Sequence, residues 1–532
     1  MNAVATPAPS AVRTPARERV RAQPRVRELL IAAAGLSALL GLSLALRTTA
    51  IHAPFWIDEG LSVGIASHPF TDIPSVLRQD GSPPLYYLLL HLWIVVFGDG
   101  QGATHALSVA FALATVPIAW WGARSMFSRR AGWCAAALAA LNPFLTYYAQ
   151  ETRMYALVAV LGLLVAVLHL QVFVFRRRAF VVPFGLALAA LVYTHNWGLF
   201  MAVGTVAAMV PAVRFAPDRR GVLRDAAIAY GLTGLLYAAW LPSLIFQAGH
   251  TGAPWAERPG LGDVLGPITG LLGGQVVPLG LLLAGGAGLA TIAQAPPGDA
   301  VADRRRAAMW TLVVMPAAAL AVAWTASQVS PAYTGRYFAI LIGPLLLLAG
   351  IGLAHAGRLG LVALAIILAL WFDPRTSTIS HKSDVRVVAA KVRGSLQAGD
   401  LVISVHPEQV PVLHYYFPPN LRWATSLGPM PDPGVFDWRD AQDRLEAARP
   451  TPTLNRLVST MAPGQTLVLA LPIIRTGAWG APWTSLVRRR SSQWQRVADR
   501  DPRLVRIAAE PRFGHRRLPR GIRTVLYRVV RP

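Results

Sequence analysis

Cysteine is nearly absent: Cys134 is the single one in 532 residues. An intramolecular disulfide and a cysteine-based metal cluster are both excluded. Lysine is almost as scarce, standing only at positions 382 and 391. Acidic residues number 26 against 50 Lys plus Arg, and charged residues make up 14% of the chain. Soluble globular chains are about a quarter charged, so a purely soluble protein is excluded. Also missing are a P-loop and an HExxH helix, and no internal repeat is found.

What the chain has instead is apolar residue, 54% of the total. The composition is that of a polytopic α-helical membrane protein. The formal charge of +24 does not mark a nucleic-acid binder, because its arginines cluster in short loops between apolar runs. That is the positive-inside pattern of a bacterial inner-membrane protein. Arginine in place of lysine, with abundant Ala, Gly and Pro, also points to a GC-rich bacterial genome.

Residues 1–28 are rich in Pro, Ala and Arg and read as a disordered basic cytoplasmic arm. The apolar run Leu29–Leu46 follows. Small residues in "TTAIHA" leave a cleaved signal peptide open, but the long basic arm and the length of the run favour an uncleaved first span. About eleven spans are expected: 30–47, 104–122, 131–147, 153–174, 179–194, 198–213, 226–246, 276–293, 309–326, 337–355 and 358–372. The run "PPLYYLLLHLWIVVF", 83–97, is left out. If it crossed, Arg124, Arg129, Arg130 and the triplet Arg176–Arg178 would fall outside. Lying in the outer interface, it puts every arginine cluster in the cytoplasm, so the first outer loop, 48–103, carries interfacial helices. The membrane domain is 29–372, the N-terminus is cytoplasmic, and residues 373–532 form an extracytoplasmic soluble α/β domain. There "AGDLVISV", "GQTLVLALPI", "PRLVRIAAE" and "IRTVLYRVV" read as strands, and "SDVRVVAAKVRGSL" and "PEQVPVLHYYF" as helices. The Pro-rich stretch 417–438 reads as a loop, and "LVRRRSSQWQRV" as a basic helix that could meet anionic headgroups.

This threading gathers the unusual polar residues on one face. The first outer loop holds the adjacent pair Asp58 and Glu59 in "WIDEGLS", with Arg78 and Asp80. "TYYAQETRMYAL" brings Glu151 and Arg153, "YTHNWG" brings His195, and "SPAYTGRYF" brings Arg336 and Tyr337. The spans themselves carry almost no ionisable residue at mid-depth, where transporters usually have them. A site at one interface suits an enzyme acting on an amphiphile with its polar head at the membrane boundary. The bland alternative for Asp58 and Glu59 is that they favour the first turn of a helix. For Arg153 and Arg336 it is headgroup anchoring.

In order, "WIDEGLS", "DGSPPLYYLLLHLW", "NPFLTYYAQETRMYALVAV", "YTHNWG" and "GRYFAILIGPLLLLAG" resemble the GT-C superfamily of polyprenyl-phosphate-sugar glycosyltransferases. The resemblance covers about residues 30–372 and is nearest to the bacterial protein O-mannosyltransferase and aminoarabinose-transferase group. It implies an inverting transfer from a polyprenyl-phosphate sugar donor to an acceptor hydroxyl of a glycan, lipid or protein. Asp58 matches the family's first-loop base, with Glu59 its customary neighbour. A base for the hydroxyl proton and cations for the leaving phosphate are what the reaction needs. Arg336, Arg153 and Arg78 are the phosphate-binding candidates, and Asp80, Glu151, His195 and Tyr337 the further substrate-site candidates. Ser82 stands where relatives commonly carry His or Lys before the Pro pair. No cofactor is required. A divalent metal on Asp58, Glu59, Asp80 and His195 is left open, without diagnostic spacing. Two other classes compete: a lipid-linked-sugar flippase, and a non-catalytic envelope-assembly protein whose C-terminal module does the work.

Overall fold

The computed structural model describes residues 16–296, 298–372, 379–473, 480–511 and 521–531, with side chains from residue 27 onward. Residues 1–15 of the expected basic arm lie outside these, as do residues 373–378 at the expected domain boundary. The first helix, Ala16–Arg47, begins inside the stretch whose composition predicts disorder.

Up to Trp371 the chain is helical. Six helices are long and apolar enough to cross a membrane: Arg27–Arg47, Gln101–Met126, Tyr155–Val174, Val276–Ala293, Ala300–Val329 and Gly335–His355. The other five expected spans are helical but short, bent or broken. Arg178–Thr194, Gly198–Arg214 and Gly357–Trp371 are shorter apolar helices, and Arg219–Tyr237 meets Leu241–His250 at 66°. The expected span 131–147 breaks at Asn142, whose side chain accepts a 3.0 Å hydrogen bond from the amide of Leu145 and so caps a new helix, Pro143–Tyr148. An Asn before a Pro disfavours continued helix and supplies a cap, which explains the break. Tyr155–Val174 is the central column, with 89% of its apolar window buried.

Residues 48–103, expected as the first outer loop, fold into three helices, Ile57–Ala66, Ile73–Asp80 and Leu85–Phe97. The last has 13 residues, about 20 Å at 1.5 Å per residue. That is short of the roughly 30 Å hydrocarbon core.

The C-terminal part is a six-stranded mixed sheet of order β3-β2-β1-β4-β6-β5. Its strands are β1 (Leu401–Ser404), β2 (Arg422–Thr425), β3 (Gly428–Pro429), β4 (Thr466–Ile473), β5 (Leu504–Glu510) and β6 (Gly521–Val529). β1 pairs parallel with both β2 and β4, and the remaining pairs are antiparallel. The stretch 417–438, expected as a loop, supplies β2 and β3. Side chains alternate between two cores. Val402, Val468 and Leu526 pack under helices Val385–Val392 and Val410–Tyr416. Leu401, Ile403 and Leu469 pack against helices Pro450–Val458 and Pro482–Arg500. Both faces of β1 and most of β4 are therefore buried, which is why these strands read as unbroken apolar runs.

The sheet part seats directly on the outer loops. Helix Ile57–Ala66 lies against Val410–Tyr416 with almost no gap. A Cβ on Gly60 would fall 2.5 Å from the Cα of Val412, and one on Gly64 would collide with the carbonyl of Gly434. Two glycines four residues apart make one small-residue helix face, and that face admits backbone contact. Around it, the Tyr416 hydroxyl accepts hydrogen bonds from the Phe55 amide at 2.7 Å and Gln101 at 2.6 Å. The Trp438 amide donates to Gln79 and the Trp483 amide to Pro254.

Candidate active site

A cavity of about 300 Å³ lies where the outer loops meet the sheet part. Its floor is the start of helix Ile57–Ala66, which brings Asp58 and Leu61 to the wall. Arg336 comes from the 3-10 turn Gly335–Phe338 and places Nη2 3.6 Å from Asp58 Oδ2; both side chains are mostly buried. Arg153, at the turn before the central helix, donates from Nη1 to the Asp58 carbonyl at 3.2 Å and to Ser62 Oγ at 3.0 Å. Asp58 Oδ2 and the Nε of both arginines are buried without a hydrogen-bond partner. Buried polar atoms are nearly always paired, so these point to a polar guest.

His195, Asn196 and Trp197 form one wall. The His195 ring lies 4.7 Å from that of Tyr337, and its Nδ1 accepts from the Trp197 amide at 3.1 Å. Burial, with the charges of Arg153 and Arg336 adding to it, lowers the His195 pKa to about 3. The ring is therefore neutral near pH 7 and offers a neutral N–H. Asp80 also lines the cavity. Its pKa is raised by burial and by neighbouring Asp58, against the opposing pull of Ser82 and Arg153.

Glu59 faces elsewhere. It is completely buried, and Oε1 accepts from His105 Nε2 at 2.6 Å and the Thr152 amide at 2.8 Å. Its Oε2 pairs with Lys382 Nζ at 2.8 Å. Lys382, itself buried, also donates to the Gln150 carbonyl. Burial alone would raise the Glu59 pKa, but Lys382 and His105 together hold it down at about 2. Glu59 is thus a clasp between the first outer loop and the sheet part, one residue from Asp58.

Of the residues singled out in the sequence, Asp58, Asp80, Arg153, His195, Arg336 and Tyr337 come together around this cavity. Arg78 does not line it; its guanidinium lies 4.3 Å over the ring of Phe246. Glu151 is buried beside it, its carbonyl accepting from Ser108 Oγ. Glu59, considered with Asp58, Asp80 and His195 for a divalent metal, does not line the cavity, and among the described residues no group of three or more His, Cys, Asp or Glu could hold one.

The roof was not visible in the sequence. His406, Glu408 and Gln409 follow β1, and Pro472 and Ile473 end β4. The carboxyl ends of two neighbouring parallel strands thus face Asp58 across the cavity. No local motif marks these residues, because only the pairing of β1 with β4 brings them together.

No family model matches the chain, and no curated protein matches it. Solved structures do. ArnT from Cupriavidus metallidurans in the apo state aligns with TM-score 0.65 and 14% identity, over 94% of this chain and 100% of that one. The same protein was solved bound to undecaprenyl phosphate, with TM-score 0.62. Arabinofuranosyltransferase AftD from Mycobacteria gives 0.53 at 14% identity, over 93% of this chain and 40% of that one. The archaeal oligosaccharyltransferase AglB from Archaeoglobus fulgidus, in complex with an inhibitory peptide and a dolichol-phosphate, gives 0.50 at 12%, over 82% and 69%. The fold of this chain is that of the GT-C glycosyltransferases.

Proposed function

We propose that the protein is an inverting glycosyltransferase that moves a sugar from a polyprenyl-phosphate donor to an acceptor hydroxyl. The observation that carries this reading is Asp58 beside two guanidiniums in one cavity, its Oδ2 ion-paired with Arg336 but buried without a hydrogen-bond partner. The fold shared with ArnT, which was solved with undecaprenyl phosphate, supports the donor class.

In the reaction, the acceptor oxygen forms a bond to the anomeric carbon as the bond from that carbon to the phosphate oxygen breaks. The hydroxyl proton passes to Asp58, and the departing polyprenyl phosphate keeps the bonding electron pair. Arg336 and Arg153 steady the negative charge that develops on that phosphate. Arg336 Nη2 lies 3.6 Å from Asp58 Oδ2, so the base and the departing phosphate share one guanidinium. Glu59 acts as a positioning residue, fixing the helix turn that carries Asp58. His195 and Asp80 face the sugar. In this reading the N-terminus is cytoplasmic, the sheet part faces outward and the chemistry runs at the outer leaflet of a bacterial inner membrane, which the arginine clusters of the short loops support.

Purified protein in nanodiscs, given radiolabelled polyprenyl-phosphate sugars and envelope fractions, should label an acceptor. Asp58→Asn should lower the transfer rate by about 10²–10⁴-fold, the usual worth of a general base, while donor binding persists. Transfer by Asp58→Asn at the wild-type rate would overturn the assignment. Acceptor-independent movement of lipid-linked sugar across the bilayer, indifferent to Asp58, would favour a flippase.

A further inference from the structure

The sheet part contributes more than a cover. Its strand order β3-β2-β1-β4 places β2 and β4 on opposite sides of β1, with both pairings parallel. The chain leaves β1 through a helix on one face of the sheet and reaches β4 after a helix on the other. The crevice at the carboxyl ends of β1 and β4 is therefore a topological switch point, the place where open α/β sheets take ligands. That crevice opens into the cavity above Asp58.

Its polar groups are fixed and incompletely used. Glu408 Oε1 lies 2.9 Å from His406 Nε2, and Glu408 Oε2 accepts from the buried Trp483 Nε1 at 2.7 Å. A carboxylate only accepts, so His406 Nε2 carries the proton of that contact, and in the Nε2–H tautomer Nδ1 presents a lone pair. That Nδ1 has no partner, and neither does Gln409 Oε1. His406 is 8% exposed and Gln409 4%. Ser404 Oγ donates to the His406 carbonyl at 2.7 Å and holds the turn in place. Beside these two acceptors the wall is aromatic, formed by Trp255 and Trp438, whose ring centroids are 4.4 Å apart.

The cavity is thus polarised. Its floor offers cations, suited to phosphate. Its roof offers two buried hydrogen-bond acceptors next to indole faces, and among the described residues no roof arginine or lysine lines it. Such a roof suits a molecule dense in O–H donors with C–H faces to pack on tryptophan. We infer that the acceptor is a carbohydrate, held at the carboxyl ends of β1 and β4 by hydroxyl donation to His406 Nδ1 and Gln409 Oε1. The inference rests on the transferase reading and narrows its acceptor to a glycan.

The test uses the full chain in nanodiscs, followed by tryptophan fluorescence. The probes are methyl glycosides of mannose, galactose and arabinose, their disaccharides, and glycerol phosphate as the anionic control. At least one glycoside should bind, and glycerol phosphate should not compete at the roof. His406→Phe and Gln409→Leu should each weaken that binding by about 3- to 10-fold, the loss of one hydrogen bond. Gln409→Glu, which keeps the oxygen, should weaken it less than Gln409→Leu. Undecaprenyl phosphate affinity should be the same in all variants, a result that a collapsed cavity would not give.

Absence of glycoside binding, its indifference to both substitutions, or preferential binding of glycerol phosphate would overturn the inference. Loss of undecaprenyl phosphate binding along with it would also do so, by reducing both residues to structural roles. If glycosides bind as described but no lipid-linked sugar is consumed, the carbohydrate site stands and the transferase reading falls. If transfer to a glycoside proceeds with an unchanged KM in both variants, the inference falls and the reading stands.

Discussion

Glu59 and Asp58 are neighbours in sequence with opposite fates. One carboxylate is clasped by Lys382 and His105, and the other meets Arg336 in a cavity, with an oxygen that accepts no hydrogen bond. Lys382 is one of two lysines in the chain, and its charge is spent wholly inside. Removing one partner of a buried ion pair typically costs about 3–5 kcal/mol. Lys382→Met should therefore lower thermal stability in detergent markedly, and Lys382→Met with Glu59→Gln should lower it by less than the two effects summed. The clasp also has a pH signature. With its pKa depressed to about 2 from the ordinary 4.5, Glu59 adds stability that is complete above the ordinary value and is lost as pH falls toward the depressed one. Wild-type melting temperatures should drop through that acid window, and the drop should be shallower in Glu59→Gln. A slope of equal steepness in both proteins would place the acid sensitivity elsewhere.

At the scale of elements, helix Ile57–Ala66 does three jobs with three faces: Asp58 to the cavity, Glu59 to the clasp, and Gly60 with Gly64 to the sheet part. A methyl group on that last face meets backbone, which cannot rotate out of the way. Gly60→Ala should lift the sheet part off the outer loop. Limited proteolysis should then be faster across 373–400, and transfer should fall although every lining side chain is intact. Unchanged protease sensitivity would argue that the contact is looser than its geometry implies. Much of this was legible in advance. Scarce carboxylates and outer-loop arginines stood out against apolar spans, so Asp58, Arg153, His195 and Arg336 could be picked out before any folding. The break at Asn142 was not seen, because hydropathy runs straight through it. Strand β2, four residues inside a Pro-rich stretch, exists only because β1 is there to pair with it.

For the whole molecule, the distribution of arginine sets a direction that can be measured. Cys134 is buried, so single cysteines placed elsewhere report cleanly. In sealed, right-side-out vesicles, an impermeant maleimide should label Asp443→Cys in the sheet part and spare Arg304→Cys until the vesicles are opened. The reverse pattern would invert the threading and place the cavity in the cytoplasm. His406, Glu408 and Gln409 illustrate what no linear reading reaches: each is ordinary in its own window and matters only through a crossover connection that closes the crevice.

The cavity's floor and roof are encoded in stretches of chain more than 300 residues apart, Asp58 in one and His406 in the other. The two can therefore diverge separately. Under the proposed function, segment 405–409 could be grafted from a cousin of different taste while the residues around Asp58 are left as they are. Retargeting such an enzyme would then be a matter of a few roof residues.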